Sequence, residues 1–135
     1  MSETFELEQI IRKASESMPF YQLTGMELAR ISEGEFVGEL EIADKHRNAA
    51  GSVHGGMLYT MIDTFAGAHA AFVMQKGVVT VNSHIEFLRP AVAGRISCKT
   101  EIIRAGRNFT RVRGDIFDAE GNLLCTSMNT YYPVQ

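Results

Sequence analysis

Cysteine is scarce: the 135 residues include only two, Cys98 and Cys125. They lie far apart inside strand-like runs, so they form neither a disulfide framework nor a zinc spacing. They read as small core residues of a protein kept in a reducing, cytoplasmic setting. Long apolar runs are also missing. The longest falls short of a membrane span, and no signal peptide opens the chain, so no membrane partner is expected. The four histidines do not cluster at metal-ligand spacing, which predicts no metal. The chain has no G-x-S-x-G elbow, no phosphate-binding glycine loop, no internal repeat and no low-complexity segment. A net charge of −3 argues against a nucleic-acid partner.

What is present describes one domain, 1–135, large enough to bury a core without staples. Hydrophobic content of 45% and charge content of 21% are ordinary for a globular protein. The charge is unevenly spread. Residues 1–44 carry ten acids and three bases, whereas residues 89–113 carry seven bases and one acid, Glu101. That asymmetry is equally compatible with an anionic partner for the second half and with a solvated face of alternating strands.

The pattern begins with a helix over Ser2 to Ser17, with an apolar stripe of Leu7, Ile10, Ile11, Ala14 and Met18, acids in its first turn and Pro19 as its stop. Strands follow at Leu28 to Ile31 and Phe36 to Ile42. From Met57 to Phe72 apolar residues recur at helical spacing on nearly all sides, which predicts a helix buried in the core and stopped by Gly77. Beyond it the period changes to two. Strands are expected over Val78 to Leu88, Arg95 to Ile103, Phe109 to Phe117 and Asn122 to Tyr132, the last two forming a hairpin around Asp118-Ala119-Glu120-Gly121. This order implies an α+β domain, an antiparallel sheet with its helix on one face.

Chemistry concentrates at the start of the central helix, in N-x5-H-G-G-x6-D. Consecutive glycines at a helix start admit a substrate close to the backbone, where free N–H groups and the helix dipole favour negative charge. The Gly55 N–H is a candidate oxyanion donor, with Gly56 beside it. His54 and Asn48 flank that point. Asp63, two turns into an apolar helix, is a carboxylate that can attack a carbonyl or activate water. Singly, each has a plainer reading as turn former, surface residue or paired acid; together they favour a site. His46 reads as exposed loop, His69 as helix packing, and Asn82 and His84 as interior polar residues of a strand.

N-A-A-G-S-V-H-G-G-M-L-Y-T-M-I-D-T resembles the signature of the hotdog-fold acyl-CoA thioesterases, in their phenylacetate-degradation (PaaI-type) branch. G-V-V-T-V-N-S-H-I-E-F-L-R-P-A and I-I-R-A-G-R-N-F-T-R-V-R-G-D-I-F-D-A-E-G-N-L-L-C-T resemble that branch's later strands, so the likeness spans roughly residues 20 to 133. It implies a hotdog fold, a long central helix wrapped by a curved antiparallel sheet, in homodimers whose sheets join edge to edge; tetramers built from two such dimers are common in the family. It implies an enzyme that hydrolyses an acyl-CoA to free acid and CoA with no separate cofactor. Asp63 is then nucleophile or general base, Gly55 N–H polarises the thioester carbonyl, and His54 and Asn48 orient thioester and water. Gly56, Thr80 and Asn82 are expected to bind substrate, and Arg89, Arg104 and Arg107 the coenzyme A phosphates. The site is expected to be shared, with Asn48, His54 and Gly55 of one subunit facing Asp63 of its partner. The likeness leaves the acyl group open. A non-catalytic acyl-CoA-binding hotdog protein is the alternative. A hydratase is disfavoured because five residues separate Asp63 from His69 where that chemistry spaces them by four, and a ligand-sensing regulator because no DNA-binding segment is evident.

Overall fold

The computed structural model describes residues 3–134. In chain order it contains α1 (Glu3–Glu16), α2 (Pro19–Thr24), β1 (Glu27–Ile31), β2 (Phe36–Glu41), a 3₁₀ turn (Asp44–His46), α3 (Gly55–Met74), β3 (Val78–Phe87), β4 (Arg95–Ala105), β5 (Thr110–Phe117) and β6 (Leu123–Pro133). The strands make one antiparallel sheet in the order β1-β2-β4-β5-β6-β3. This is the hotdog arrangement: the sheet curls around α3, which touches every strand from β2 to β6.

The composition of α3 explains its place. Leu58, Met61, Ile62, Phe65, Ala66, Ala70 and Phe72 are buried on several sides of it, and each large apolar side chain removed from water contributes about 1.5–3 kcal/mol. Close packing requires one glycine in the sheet. A Cβ at Gly38 would fall 2.0 Å from a ring carbon of Phe65, so β2 can cross α3 only because Gly38 has no side chain. His69 packs inside this layer, stacked on Phe36 at 4.5 Å, as its helical position predicts.

Several boundaries differ from expectation, each for a local reason. Ser2 lies outside the described residues; α1 is traced from Glu3. Ile10 is exposed, because only Leu7 and Ile11 of the expected stripe reach the core cluster. Pro19 does not only stop α1: it occupies the first turn of α2, where its fixed φ suits a helix start, and Gly25 in the left-handed region (φ 80) ends that helix. Gln75 rather than Gly77 takes the left-handed turn (φ 57) that ends α3, because the chain must reverse before β3 begins at Val78. His46 is buried, not exposed. Its ring Nδ1 accepts from Ala43 N–H at 2.9 Å and its Nε2 donates to Thr24 O at 2.7 Å, tying the turn before α3 to the end of α2.

The edge strand β3 carries the main departure. Its pairing with β6 slips between Thr80 and Asn82, leaving Val81 as an extra residue. Such a bulge reverses which face later side chains take. Thr80 therefore faces α3, whereas Asn82 and His84 are exposed on the opposite face and are not the interior residues that uninterrupted alternation predicts. His84 pairs there with Glu86 at 2.9 Å.

Candidate active site

Asp63 is half-buried on α3, and β3 and β6 each bring a hydroxyl to it. Thr80 Oγ1–H donates to Asp63 Oδ1 at 2.8 Å, and Tyr131 O–H reaches the same oxygen at 3.2 Å. Tyr131 also lies 3.3 Å from the Asp63 carbonyl oxygen. Thr80 and Tyr131 are directly paired across β3 and β6, so the sheet register itself converges the two donors. Oδ2 accepts no hydrogen bond from the described residues. Burial, reinforced by the charge on Asp63, raises the Tyr131 phenol well above its ordinary range. It therefore stays a neutral donor to the carboxylate.

The carboxylate opens on a cleft of about 420 Å³ between α3, β3, β6 and the two N-terminal helices. Thr60, Asp63, Thr64 and Thr80 line its polar end; Ala68, Ala71 and Val78 line the remainder. Tyr131 is the partner of Asp63 that sequence reading missed. The available signal was an alternating inward row in β6, through Ser127 and Asn129 to Tyr131, in which a buried phenol needs a partner.

A second group assembles at the N-terminus of α3. His54 is the helix cap: its Nδ1 accepts from Gly56 N–H at 2.8 Å. The cap engages Gly56 and leaves Gly55 N–H with no acceptor among the described residues. Asn48 braces the preceding loop, its Oδ1 accepting from Ala50 N–H at 3.0 Å and Ser52 N–H at 3.2 Å. Gly55 lies on a second, smaller cleft with Phe87, Leu88 and Arg89.

One chain keeps these two groups apart. Gly55 and Asp63 are eight residues apart on the same helix, about 12 Å at 1.5 Å per residue. The arginines divide likewise. Arg89 follows β3 beside Gly55, whereas Arg104 is the penultimate residue of β4 and Arg107 lies in the β4–β5 connection, at the end of the sheet where Ala105, Thr110, Tyr131 and Thr80 pair in line. All three are exposed. Asn82 faces away from both groups.

Cys98 and Cys125 are fully buried, and both pair across Ile116, so they sit two strands apart. Two strand spacings are about 9–10 Å, beyond disulfide reach. Burial raises both thiols, Cys125 to about 11, so neither is a nucleophile. Among the described residues no helix is long and apolar enough to cross a membrane.

A carboxylate held by two hydroxyls thus sits inside a sheet curled around its helix. The sequence model of the family described as the Thioesterase superfamily matches residues 50–125. The chain belongs to that superfamily and is a hotdog-fold thioesterase. It is 25% identical to human acyl-coenzyme A thioesterase 13 over 134 residues, covering 96% of this chain and 95% of that one. Among solved structures it resembles the PaaI protein of E. coli, from the phenylacetic acid degradation operon, with TM-score 0.91 and 19% identity over 99% of this chain and 97% of that chain. A thioesterase of Haemophilus influenzae matches with TM-score 0.85 and 23% identity, over 96% of this chain and 90% of that chain.

Proposed function

We propose that the protein hydrolyses acyl-CoA thioesters, with Asp63 as the reacting carboxylate and Gly55 N–H as the oxyanion donor. The observation that carries this reading is the pair of hydroxyls on Asp63 Oδ1, from Thr80 and Tyr131, which leaves Oδ2 without a donor among the described residues on a carboxylate that lines the cleft. The likeness to an acyl-coenzyme A thioesterase over nearly the whole chain supports the substrate class.

Asp63 acts in one of two ways. As general base, its carboxylate takes a proton from water and the hydroxide attacks the thioester carbonyl carbon. The tetrahedral oxyanion accepts from Gly55 N–H, the C–S bond breaks, and the CoA thiolate leaves and recovers the proton. As nucleophile, the carboxylate attacks first, the thiolate leaves, and water hydrolyses the mixed anhydride. A thiolate needs little acid assistance to depart, since its conjugate acid resembles a cysteine thiol of pKa about 8.5. A site with one carboxylate and one backbone donor is therefore sufficient.

Because Gly55 and Asp63 of one chain are too far apart to act on one carbonyl, the reading requires a two-fold dimer. Strand β3 is one of the two edges of the sheet, and Val79 and Val81 on it are exposed. Antiparallel pairing of two such edges lays the Phe87 end of one beside the Thr80 end of the other. His54 and Asn48 then act by shaping the N-terminus of α3, and Gly56 by its close approach. Arg89, Arg104 and Arg107 supply cations for the CoA phosphates. Asn82 lies on the outer face of β3, turned away from Asp63.

Thiol release from a panel of acyl-CoAs tests the reading. Turnover is expected, and Asp63→Ala should lower it by about 10²- to 10⁴-fold while the protein stays folded. Binding of acyl-CoA without turnover by the parent would identify a carrier instead.

A further inference from the structure

We infer that the cleft beside Asp63 is a size gauge for a medium-length apolar acyl group, with Gly67 as its floor and the segment from Ile11 to Met18 as its wall. The inference rests on the reading of Asp63 as the group that acts on the thioester carbonyl. It starts from Gly67, which lies in the middle of α3, where glycine is the least favourable residue apart from proline. Two ordinary reasons for a glycine do not apply. Its φ is not positive, so the backbone does not require it. Packing does not require it either. A Cβ there would meet Tyr131 at 3.4 Å, an ordinary contact, in contrast to the 2.0 Å overlap at Gly38. The missing side chain instead leaves open the cleft one turn beyond Asp63.

The rest of the lining sets what fits. From α1 and the residues that follow it come Ile11, Ala14 and Met18; from α3 come Gly67, Ala68 and Ala71. None is charged, so an acyl group ending in a second carboxylate would have no partner there. From Asp63 to Ala71 the floor runs eight residues, about 12 Å. Three bonds of an extended chain span about 3.6 Å, or about 1.2 Å per bond. A fully extended acyl group of about ten carbons therefore fills the floor. The start of α1, at Leu7, lies against Phe72 and Val73 at the end of α3, so α1 runs back along the cleft and Ile11 is the wall residue nearest Ala71. Shorter groups leave apolar surface wet, and much longer ones must displace Ile11.

The test measures kcat/KM for butyryl-, decanoyl- and hexadecanoyl-CoA. The parent should prefer decanoyl over both others. Gly67→Leu should lower the decanoyl-to-butyryl ratio by about ten-fold or more, since single methylenes already discriminate on that scale. Gly67→Ala should lower it less, and Ile11→Ala should raise the hexadecanoyl-to-decanoyl ratio. A parent that prefers butyryl or hexadecanoyl overturns the inference, as does a Gly67→Leu enzyme that scales all three substrates by one factor. If Gly67→Leu does not fold, the other two variants decide: unchanged ratios in both overturn it. If the parent hydrolyses no thioester, the reading of Asp63 fails separately. Calorimetric binding of decanoyl-CoA against butyryl-CoA, in parent and Gly67→Ala, then tests the cleft alone.

Discussion

Thr80 and Tyr131 both donate to one carboxylate oxygen, yet their contributions differ. Thr80 makes the shorter bond from an edge strand; Tyr131 is nearly fully buried and also reaches the backbone of Asp63. Tyr131→Phe removes only the hydroxyl, at a site that is already apolar around the ring. It should cost about 10-fold in kcat with little change in KM, because positioning of the carboxylate matters in the transition state rather than in substrate binding. Thr80→Val should behave alike, and the double variant should lose less than the product of the two, since both bonds serve one oxygen. Steady-state kinetics on the four proteins measures this, and a fully multiplicative loss would mean the two hydroxyls act on different events.

At the scale of elements, the junction of α3 with β2 and β4 depends on His69. Its Nε2 donates to Glu33 O at 2.9 Å, so Nδ1 is the acceptor and takes the Thr100 hydroxyl proton at 2.8 Å. Only the bond from Thr100 needs the neutral ring, because Nδ1 must keep its lone pair to accept it. Burial lowers the ring's pKa below the ordinary value; the Glu33 carbonyl and the charge on Glu35 oppose that shift more weakly. The unfolded chain therefore takes up this proton at higher pH than the folded one. The His69 contribution is complete above about pH 6.5 and is lost as pH falls from there through the folded pKa. Urea unfolding of parent and His69→Gln should show a stability gap at pH 7.5 that narrows by pH 5. A gap that stays constant across that range would show that the proton is not taken up differently by the two states.

At the scale of the molecule, the proposed reaction needs a second chain, because Gly55 and Asp63 of one chain lie about 12 Å apart. Gly55 offers a clean way to test it. It is the first residue of α3, where proline is tolerated, and His54 before it already has the extended backbone (φ −60, ψ 134) that precedes a proline. Gly55→Pro thus deletes the N–H without breaking the helix, and should cost about 10²- to 10³-fold in kcat, whereas Gly55→Ala retains the donor. Co-expression of Gly55→Pro with Asp63→Ala then distinguishes the two architectures. In a mixed two-fold dimer one site collects both defects and the other none, so random pairing should restore about a quarter of parent activity per subunit. Purified mixed dimers as inactive as either variant would place the whole site within one chain.

Much of this was legible in the chain itself. A change from helical to alternating periodicity after Gly77, an all-round apolar helix and a glycine pair at its start determined an α+β layer with Asp63 inside it, because those patterns depend only on local geometry and on which faces must leave water. The candidate carboxylate and candidate oxyanion donor came from the same stretch. Tertiary structure alone decided their surroundings. The extra residue at Val81 shifts the phase of β3, so Thr80 turns in and Asn82 turns out, and no count of alternating residues reveals where a strand gains one. Tyr131 meets Asp63 only through the pairing of β6 with β3, and His46 is buried only because α2 folds back over it. Such contacts join residues tens of positions apart, and their energy depends on register and packing rather than on the identity of neighbours along the chain.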